Sequence, residues 1–111
     1  MSEEQDPQQM LMQLQQTQQQ LQQVAMQKEE TESEIQESKK ALEELNKESE
    51  GSVYTSVGSI MVEKDRDQLI EDLEEKVEDL KVRKKSLSKK EEKLESDMKE
   101  KREGFQGNMM G

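Results

Sequence analysis

The side chains that carry out most chemistry in proteins are unevenly represented in this chain. Its 111 residues include 27 Asp and Glu and 17 Lys and Arg, but no Cys and no His. Without a thiol or an imidazole, the chain alone cannot form a disulfide, a nucleophilic triad or a Cys or His metal site. Carboxylates on solvated faces lack the burial and neighbours that acid–base catalysis needs. The sequence therefore predicts a protein that is not an enzyme and has no cofactor and no metal.

A different chemistry, adaptable apolar binding, is indicated near both chain ends. The candidate residues are Met10, Leu11, Met12, Leu14, Phe105, Met109 and Met110. Methionine is flexible and polarisable, so a methionine-rich surface can repack against many apolar partners. Two purely structural interpretations stay open. Either Met10 and Phe105 only face each other between two helices, or the final "GNMMG" is a frayed tail.

The elements that position these residues must be poor in apolar surface. Only 28% of the chain is hydrophobic and 2% aromatic, while 40% is charged. This is too little for a globular core, so the chain is either disordered or buries narrow stripes. The net charge of −10 disfavours binding to nucleic acid, and there is no apolar run of the roughly 18 residues that a membrane span requires. We expect a cytoplasmic protein with no membrane and no nucleic-acid partner; the acidic balance also fits a salt-rich cytoplasm.

Periodicity decides in favour of helix. Residues recur every seven positions in two strings per half of the chain, as at the a and d positions of a coiled coil. The first half has Leu14, Leu21, Lys28, Ile35 and Leu42 with Met10, Thr17, Val24, Thr31, Ser38 and Leu45; the second has Ile70, Val77, Lys84, Glu91, Met98 and Phe105 with Leu73, Leu80, Leu87, Leu94 and Lys101. We predict helices over about 8–49 and 66–104, with flexible ends at 1–6 and 106–111.

The two strings match when the second helix folds back on the first. Leu45 is then opposite Ile70 and Met10 opposite Phe105, and the two numbers in every facing pair add to 115. In the same register the acidic run "EETESE" (29–34) lies opposite the basic run "VRKKSLSKK" (82–90), so we interpret the basic run as neutralised by its partner helix. The symmetry point of this antiparallel pair falls between Val57 and Gly58.

A β-hairpin is predicted at that point, over about 52–64. The sequence "VYTSVGSIMV" (53–62) is β-branched and apolar, and Gly58-Ser59 fits a type II′ turn. Gly51 is the expected end of the first helix, and Asp65 or Asp67 the expected cap of the second. The hairpin residues expected to join chains are Val53, Tyr54, Thr55, Val57, Gly58, Ile60, Met61 and Val62.

An isolated two-stranded hairpin is marginally stable in water, and its open edges invite pairing with other strands. The sequence therefore predicts partner hairpins that form a shared sheet or barrel. The alternative is a local structure that caps a monomeric coiled coil.

With these elements placed, the chain resembles a β-type prefoldin subunit, of the archaeal kind, over its whole length. The resemblance rests on Val53-Tyr54, Val57-Gly58 and Ile60-Met61-Val62, preceded by "SKKALEEL" and a glutamine-rich first helix. Family subunits often carry lysine where this chain has Thr55 and near Glu63. The fold class implied is mainly α: a long antiparallel two-helix coiled coil whose single hairpin joins an oligomeric β-barrel platform.

The resemblance also implies a function and partners. These are a heterohexamer of two α-type and four β-type subunits, unfolded protein clients, and a group II chaperonin that receives them. We expect an ATP-independent holdase, and the chain has no glycine loop of the kind that cradles nucleotide phosphates. The alternative function is a structural coiled-coil spacer or tether in another assembly.

Overall fold

The computed structural model describes residues 6–47 and 52–110, with side chains described up to Gly104. Along the chain, helix α1 (Pro7–Lys47) is followed by strands β1 (Val53–Val57) and β2 (Ile60–Lys64) and by helix α2 (Arg66–Met110). Two long helices with an antiparallel hairpin between them confirm the predicted fold class. The expected breaker Gly51 lies outside the described residues.

Helix α1 begins with a cap and a proline. The backbone N–H of Gln8 donates to the Asp6 carboxylate at 3.4 Å, and the N–H of Met10 donates to the Asp6 carbonyl at 3.0 Å. Pro7 occupies the first helical position, where its missing N–H costs nothing and its fixed φ suits a helix. Asp6 therefore supplies hydrogen-bond acceptors for backbone N–H groups at the start of α1, which have no acceptor within the helix.

Helix α2 is capped by Asp65, one of the two predicted caps. Its carboxylate accepts from the N–H of Gln68 at 3.2 Å, and its carbonyl accepts from the N–H of Leu69 at 3.0 Å. The next residue, Arg66, donates from Nε to the carbonyl of Leu45 at 3.0 Å. That carbonyl belongs to the last turn of α1, so Arg66 satisfies a helix-end acceptor and joins the end of α1 to the start of α2.

The end of α2 differs from the expected end near residue 104. The helix continues through Gly104 to Met110. A glycine in a helix interior costs only about 1 kcal/mol relative to alanine, which is not enough to end a helix by itself. The expected flexibility of residues 1–6 and 106–111 stays a prediction.

The chain divides into two compact units, one of residues 1–29 with 85–111 and one of residues 30–84. The buried residues of the first are Thr17 and Val24; those of the second are Thr31, Ile35, Ser38 and Val77. All six occupy predicted a or d positions. The narrow seam read from the heptads is therefore the core in each unit, and half of its buried residues are polar.

Polar side chains in the seam are matched by partners. The Thr17 hydroxyl donates to the Gln13 carbonyl at 2.9 Å and accepts from Lys101 Nζ at 3.0 Å. Lys28 Nζ lies 3.0 Å from Glu91 Oε1, and Lys84 Nζ lies 2.7 Å from Glu32 Oε2. The Thr17–Lys101 and Lys28–Glu91 contacts each join neighbouring layers of the predicted register, and Glu32 follows Thr31, the predicted partner of Lys84. The antiparallel pairing is therefore the expected one.

Candidate functional site

The hairpin has the register that the sequence predicts. Val57 pairs with Ile60 and Thr55 with Val62, and the turn between them is Gly58-Ser59. Gly58 has φ of 62°, whereas Ser59 has no positive φ. A positive φ at the first turn residue alone is the type II′ pattern, whose twist matches that of the flanking strands.

Apolar side chains are exposed on both faces of this hairpin. On one face, Val57 is 55% and Ile60 62% exposed, and Val62 is also exposed, while Val53 and Thr55 are half-buried. On the other face, Tyr54 and Met61 are both exposed. All eight hairpin residues predicted to join chains are therefore brought together on one small two-stranded sheet. Their role in assembly stays a prediction.

An open groove of about 440 Å³ borders strand β1. Its helical wall includes Ala41, Leu45, Leu69 and Leu73, and its other wall is Val53, Tyr54, Thr55 and Ser56. Consecutive residues of a strand point to opposite faces, so a wall made of four in a row is the strand's edge. This edge carries backbone groups that β2 does not pair, because the sheet has two strands only within the described residues.

The base of the hairpin is fixed by polar contacts. The Ser52 hydroxyl donates to Glu63 Oε1 at 2.6 Å, and Lys64 Nζ lies 3.9 Å from Asp72 Oδ2. The prefoldin resemblance leads us to expect a lysine near the position of Glu63. Here its carboxylate serves as an acceptor that holds the incoming strand against the outgoing one.

The second predicted surface, the terminal cluster of Met10, Leu11, Met12 and Leu14, lies in the first turns of α1. Met10 and Leu14 are half-buried at their seam positions, whereas Leu11 is 44% and Met12 64% exposed. As expected from the sequence, the cluster carries more apolar residues than the seam can bury. Its role in binding stays a prediction.

The C-terminal members of the predicted surface cannot be placed in the same way. The side chains of Phe105, Met109 and Met110 lie outside the described residues. The adjacent Gly104 is described, and a Cβ added to it would lie 3.3 Å from Met10 Cε. Met10 therefore lies beside Gly104, the residue that precedes its predicted partner Phe105, and the Met10–Phe105 pair stays a prediction.

Electrostatics in the second unit centre on Glu32. The hydrogen bond from Lys84, followed by the one from Gln36, holds the pKa of the Glu32 carboxyl below its ordinary value of 4.5. Just before the basic run, Lys81 lies 3.8 Å from Glu78 of its own helix. Within the described residues, the predicted match between the acidic and basic runs is thus one close pair rather than a ladder.

Among the residues that the structure describes, two large apolar residues are exposed that were not among the candidates. Met26 in α1 is 60% exposed and Val82 in α2 is 69% exposed. Both lie at outward heptad positions, away from the a and d strings. A signal for Met26 was present in the sequence: no charged residue occurs between Asp6 and Lys28, in a chain that is 40% charged. Val82 had no such signal.

Neither helix, over its described length, has a stretch apolar and long enough to cross a bilayer.

Comparison with known proteins identifies a family, and a solved structure with a similar fold. The family described as "Prefoldin subunit" matches residues 8–111. The crystal structure of the prefoldin beta subunit from Thermococcus strain KS-1 is similar, with a TM-score of 0.80 and 39% identity, over 92% of this chain and 90% of that one. No curated protein sequence matches the chain.

Proposed function

The chain belongs to the prefoldin family as a β-type subunit, and we propose that it is an ATP-independent holdase that captures unfolded proteins at the tips of its coiled coil. Membership of the family supports a chaperone subunit in general and is consistent with a protein that is not an enzyme. Capture at the tips, delivery to a group II chaperonin and the composition of the complex are the finer parts of the proposal.

The observation that carries the proposal is the exposure of Leu11 and Met12 beside the seam residues Met10 and Leu14. A two-helix seam needs about two apolar residues per heptad, and here four occur within five positions. Exposed methionine and leucine at one place supply apolar area that an unfolded chain can bury. Flexible side chains suit a site that must accept many sequences.

Assembly is assigned to the hairpin. Its exposed Val57 and Ile60 and the unpaired edge of β1 fit a sheet shared with neighbouring hairpins. We place four copies of this chain with two α-type prefoldin subunits in a cytoplasmic hexamer. The support is the similarity to a protein described as a prefoldin beta subunit, together with the open hairpin.

Delivery to a group II chaperonin rests on family membership alone. It is tested by loading the assembled complex with a labelled unfolded client, adding the chaperonin, and following the label by size-exclusion chromatography. Transfer of label without added nucleotide supports delivery. Retention of the label on the complex, with the chaperonin free, contradicts it.

Capture is tested with the complex assembled from full-length chains. Deleting residues 1–14 and 104–111 should abolish suppression of the aggregation of a denatured client while native mass falls only by the deleted residues. A gentler variant, Leu11→Gln with Met12→Gln, introduces the residue type that follows in the same helix and keeps the seam. If the wild-type complex suppresses no aggregation, the chain is a structural spacer or tether instead.

A further inference from the structure

The outward face of α1 in the first unit is unlike the other outward helix faces. Met12, Gln19 and Met26 follow one another at seven-residue spacing, and Gln15, Gln16, Gln22 and Gln23 lie between them at spacings of three and four. Residues at such spacings share one side of a helix. All seven are exposed. We call this surface the glutamine stripe.

Charge distinguishes the stripe from equivalent positions elsewhere. The outward positions of α2 in the same unit include Lys85, Lys89, Glu92, Lys93, Lys99 and Glu100. Those of α1 in the second unit include Glu30, Glu37, Lys40, Glu43 and Glu44. A face that only needs to be solvated is thus built from charges in this chain. The stripe has none, so solvation alone does not account for its composition.

We propose that the glutamine stripe binds one extended, uncharged segment of an unfolded polypeptide, lengthwise along α1. The proposal deepens the client capture proposed above and rests on it. Among the described residues, none of the five glutamine amides has a hydrogen-bond partner within the chain. Each amide can both donate and accept, which suits the unpaired N–H and C=O groups of an unfolded backbone.

The absence of charge fits an uncharged partner. Removing water from a charged side chain costs far more than removing it from an amide, so a neutral face can be covered by an apolar segment at lower cost. The exposed methionines Met12 and Met26 then give the apolar side chains of the segment an adaptable contact at each end of the stripe. A lipid surface is disfavoured, because interfacial helices present basic residues.

The length of the stripe sets the length of the segment. Met12 and Met26 are separated by about 21 Å at 1.5 Å per helical residue. An extended chain advances about 3.3 Å per residue, so about six or seven residues cover the stripe. Met12 belongs to the terminal cluster as well, so the bound segment continues into the site proposed for capture.

The test measures binding of a fluorescent peptide of about seven residues, alternating leucine and serine, to the assembled complex by anisotropy. Met26→Glu and Gln19→Glu place a charge at one end and at the centre of the stripe. Each should weaken binding about five- to tenfold. Substituting glutamate for the serines of the peptide should weaken its binding to the wild-type complex by a similar factor.

Two matched controls add the same charge off the stripe. Val82→Glu replaces an apolar residue of α2 that is exposed to a similar extent as Met26, and Gln20→Glu alters the residue next to Gln19 on another side of α1. Both should change binding less than twofold. Equal losses in all four variants, or no loss in any, would overturn the proposal.

Failure of this proposal and failure of the proposed capture are distinguishable. Leu11→Gln lies in the terminal cluster but not in the stripe. If Leu11→Gln impairs suppression of client aggregation while Met26→Glu and Gln19→Glu leave peptide binding intact, capture stands and the stripe is refuted. A lower native mass of the Met26→Glu complex would show that the glutamine stripe is a contact between copies of the chain. Loss of binding to phosphatidylcholine vesicles in that variant would make it a lipid site. Either result overturns the proposal.

Discussion

The hairpin and the terminal cluster both expose apolar side chains, but the side chains differ in kind. On the hairpin face opposite Tyr54 and Met61, the exposed residues Val57, Ile60 and Val62 are β-branched and project from paired strands. The exposed terminal residues Leu11 and Met12 are unbranched at Cβ and project from a helix. Branching at Cβ restricts χ1 strongly, whereas methionine has three rotatable bonds.

This difference indicates two kinds of partner. A stiff surface beside unpaired backbone groups suits one partner in one register, as strand pairing between subunits requires. A flexible surface on a helix, with no backbone groups to offer, suits partners of many sequences.

The largest effect is expected from charges on the hairpin. Val57→Asp with Ile60→Asp should dissociate the complex, because an unpaired charge buried in an interface costs several kcal/mol. Native mass spectrometry should show separate chains, while the helical circular dichroism signal falls only partly. Val82→Asp, at an exposed apolar residue of α2, is the control and should leave the mass unchanged. An intact complex from the double variant would break the contrast at the hairpin.

A smaller effect is expected in the seam, which belongs to neither surface. Glu91→Ala removes the partner of Lys28, whose side chain is 31% exposed, and should lower the free energy of unfolding by about 1 kcal/mol. Chemical denaturation of the complex measures this loss. Replacing both residues by leucine should recover it, since an apolar pair avoids the desolvation of two charges. Altered suppression of client aggregation in the stable double variant would show that binding extends beyond the exposed surfaces.

Gly104→Ala tests the flexibility assigned to the side chains of the terminal cluster. The new Cβ would lie 3.3 Å from Met10 Cε, the far end of a flexible side chain that can move away. Alanine favours a helix interior over glycine by up to about 1 kcal/mol, so thermal unfolding should occur at a slightly higher temperature. A loss of more than about 1 kcal/mol would instead mean that Met10 is held rigidly, against the account of this surface.

The smallest effect concerns pH. The hydrogen bond from Lys84 lowers the pKa of Glu32 in the folded chain, so the ionised carboxylate is favoured by folding. This stabilisation is present above pH 4.5 and is lost as the pH falls below 4.5 through the lowered pKa. The difference in melting temperature between the wild type and Glu32→Gln should therefore shrink below pH 4.5. A difference that grows there would contradict the assignment; Glu34→Gln is the control.

Much of the fold follows from short-range patterns in the sequence. The heptads place all six buried residues, and Gly58-Ser59 fixes the hairpin register, because a period of seven and a two-residue turn each leave little freedom. The contact between Arg66 and the Leu45 carbonyl did not follow from them. A long flexible side chain has many possible partners, and only the folded arrangement selects one.

The exposed surfaces were predicted less completely. The terminal cluster stood out because its apolar residues exceed what the seam needs. The glutamine stripe did not, because Leu14, Leu21 and Val24 explained the same segment as ordinary helix. The sequence signal for the stripe is its lack of charged residues. This lack is recognised only when the outward positions are considered separately from the seam positions. The pair of Lys84 and Glu32 belongs to the predicted match between the acidic and basic runs. Which other residues of the two runs form close pairs depends on individual side-chain conformations, which the sequence pattern does not specify.

The central claim is that assembly and client capture belong to different surfaces of the chain. It is tested most directly by the aggregation of a denatured client in the presence of the Leu11→Gln, Met12→Gln complex, purified at the native mass of the wild-type complex. If the terminal cluster captures clients, light scattering should rise nearly as it does without any complex. Suppression equal to that of the wild type would contradict it and would leave the terminal cluster without a role in capture.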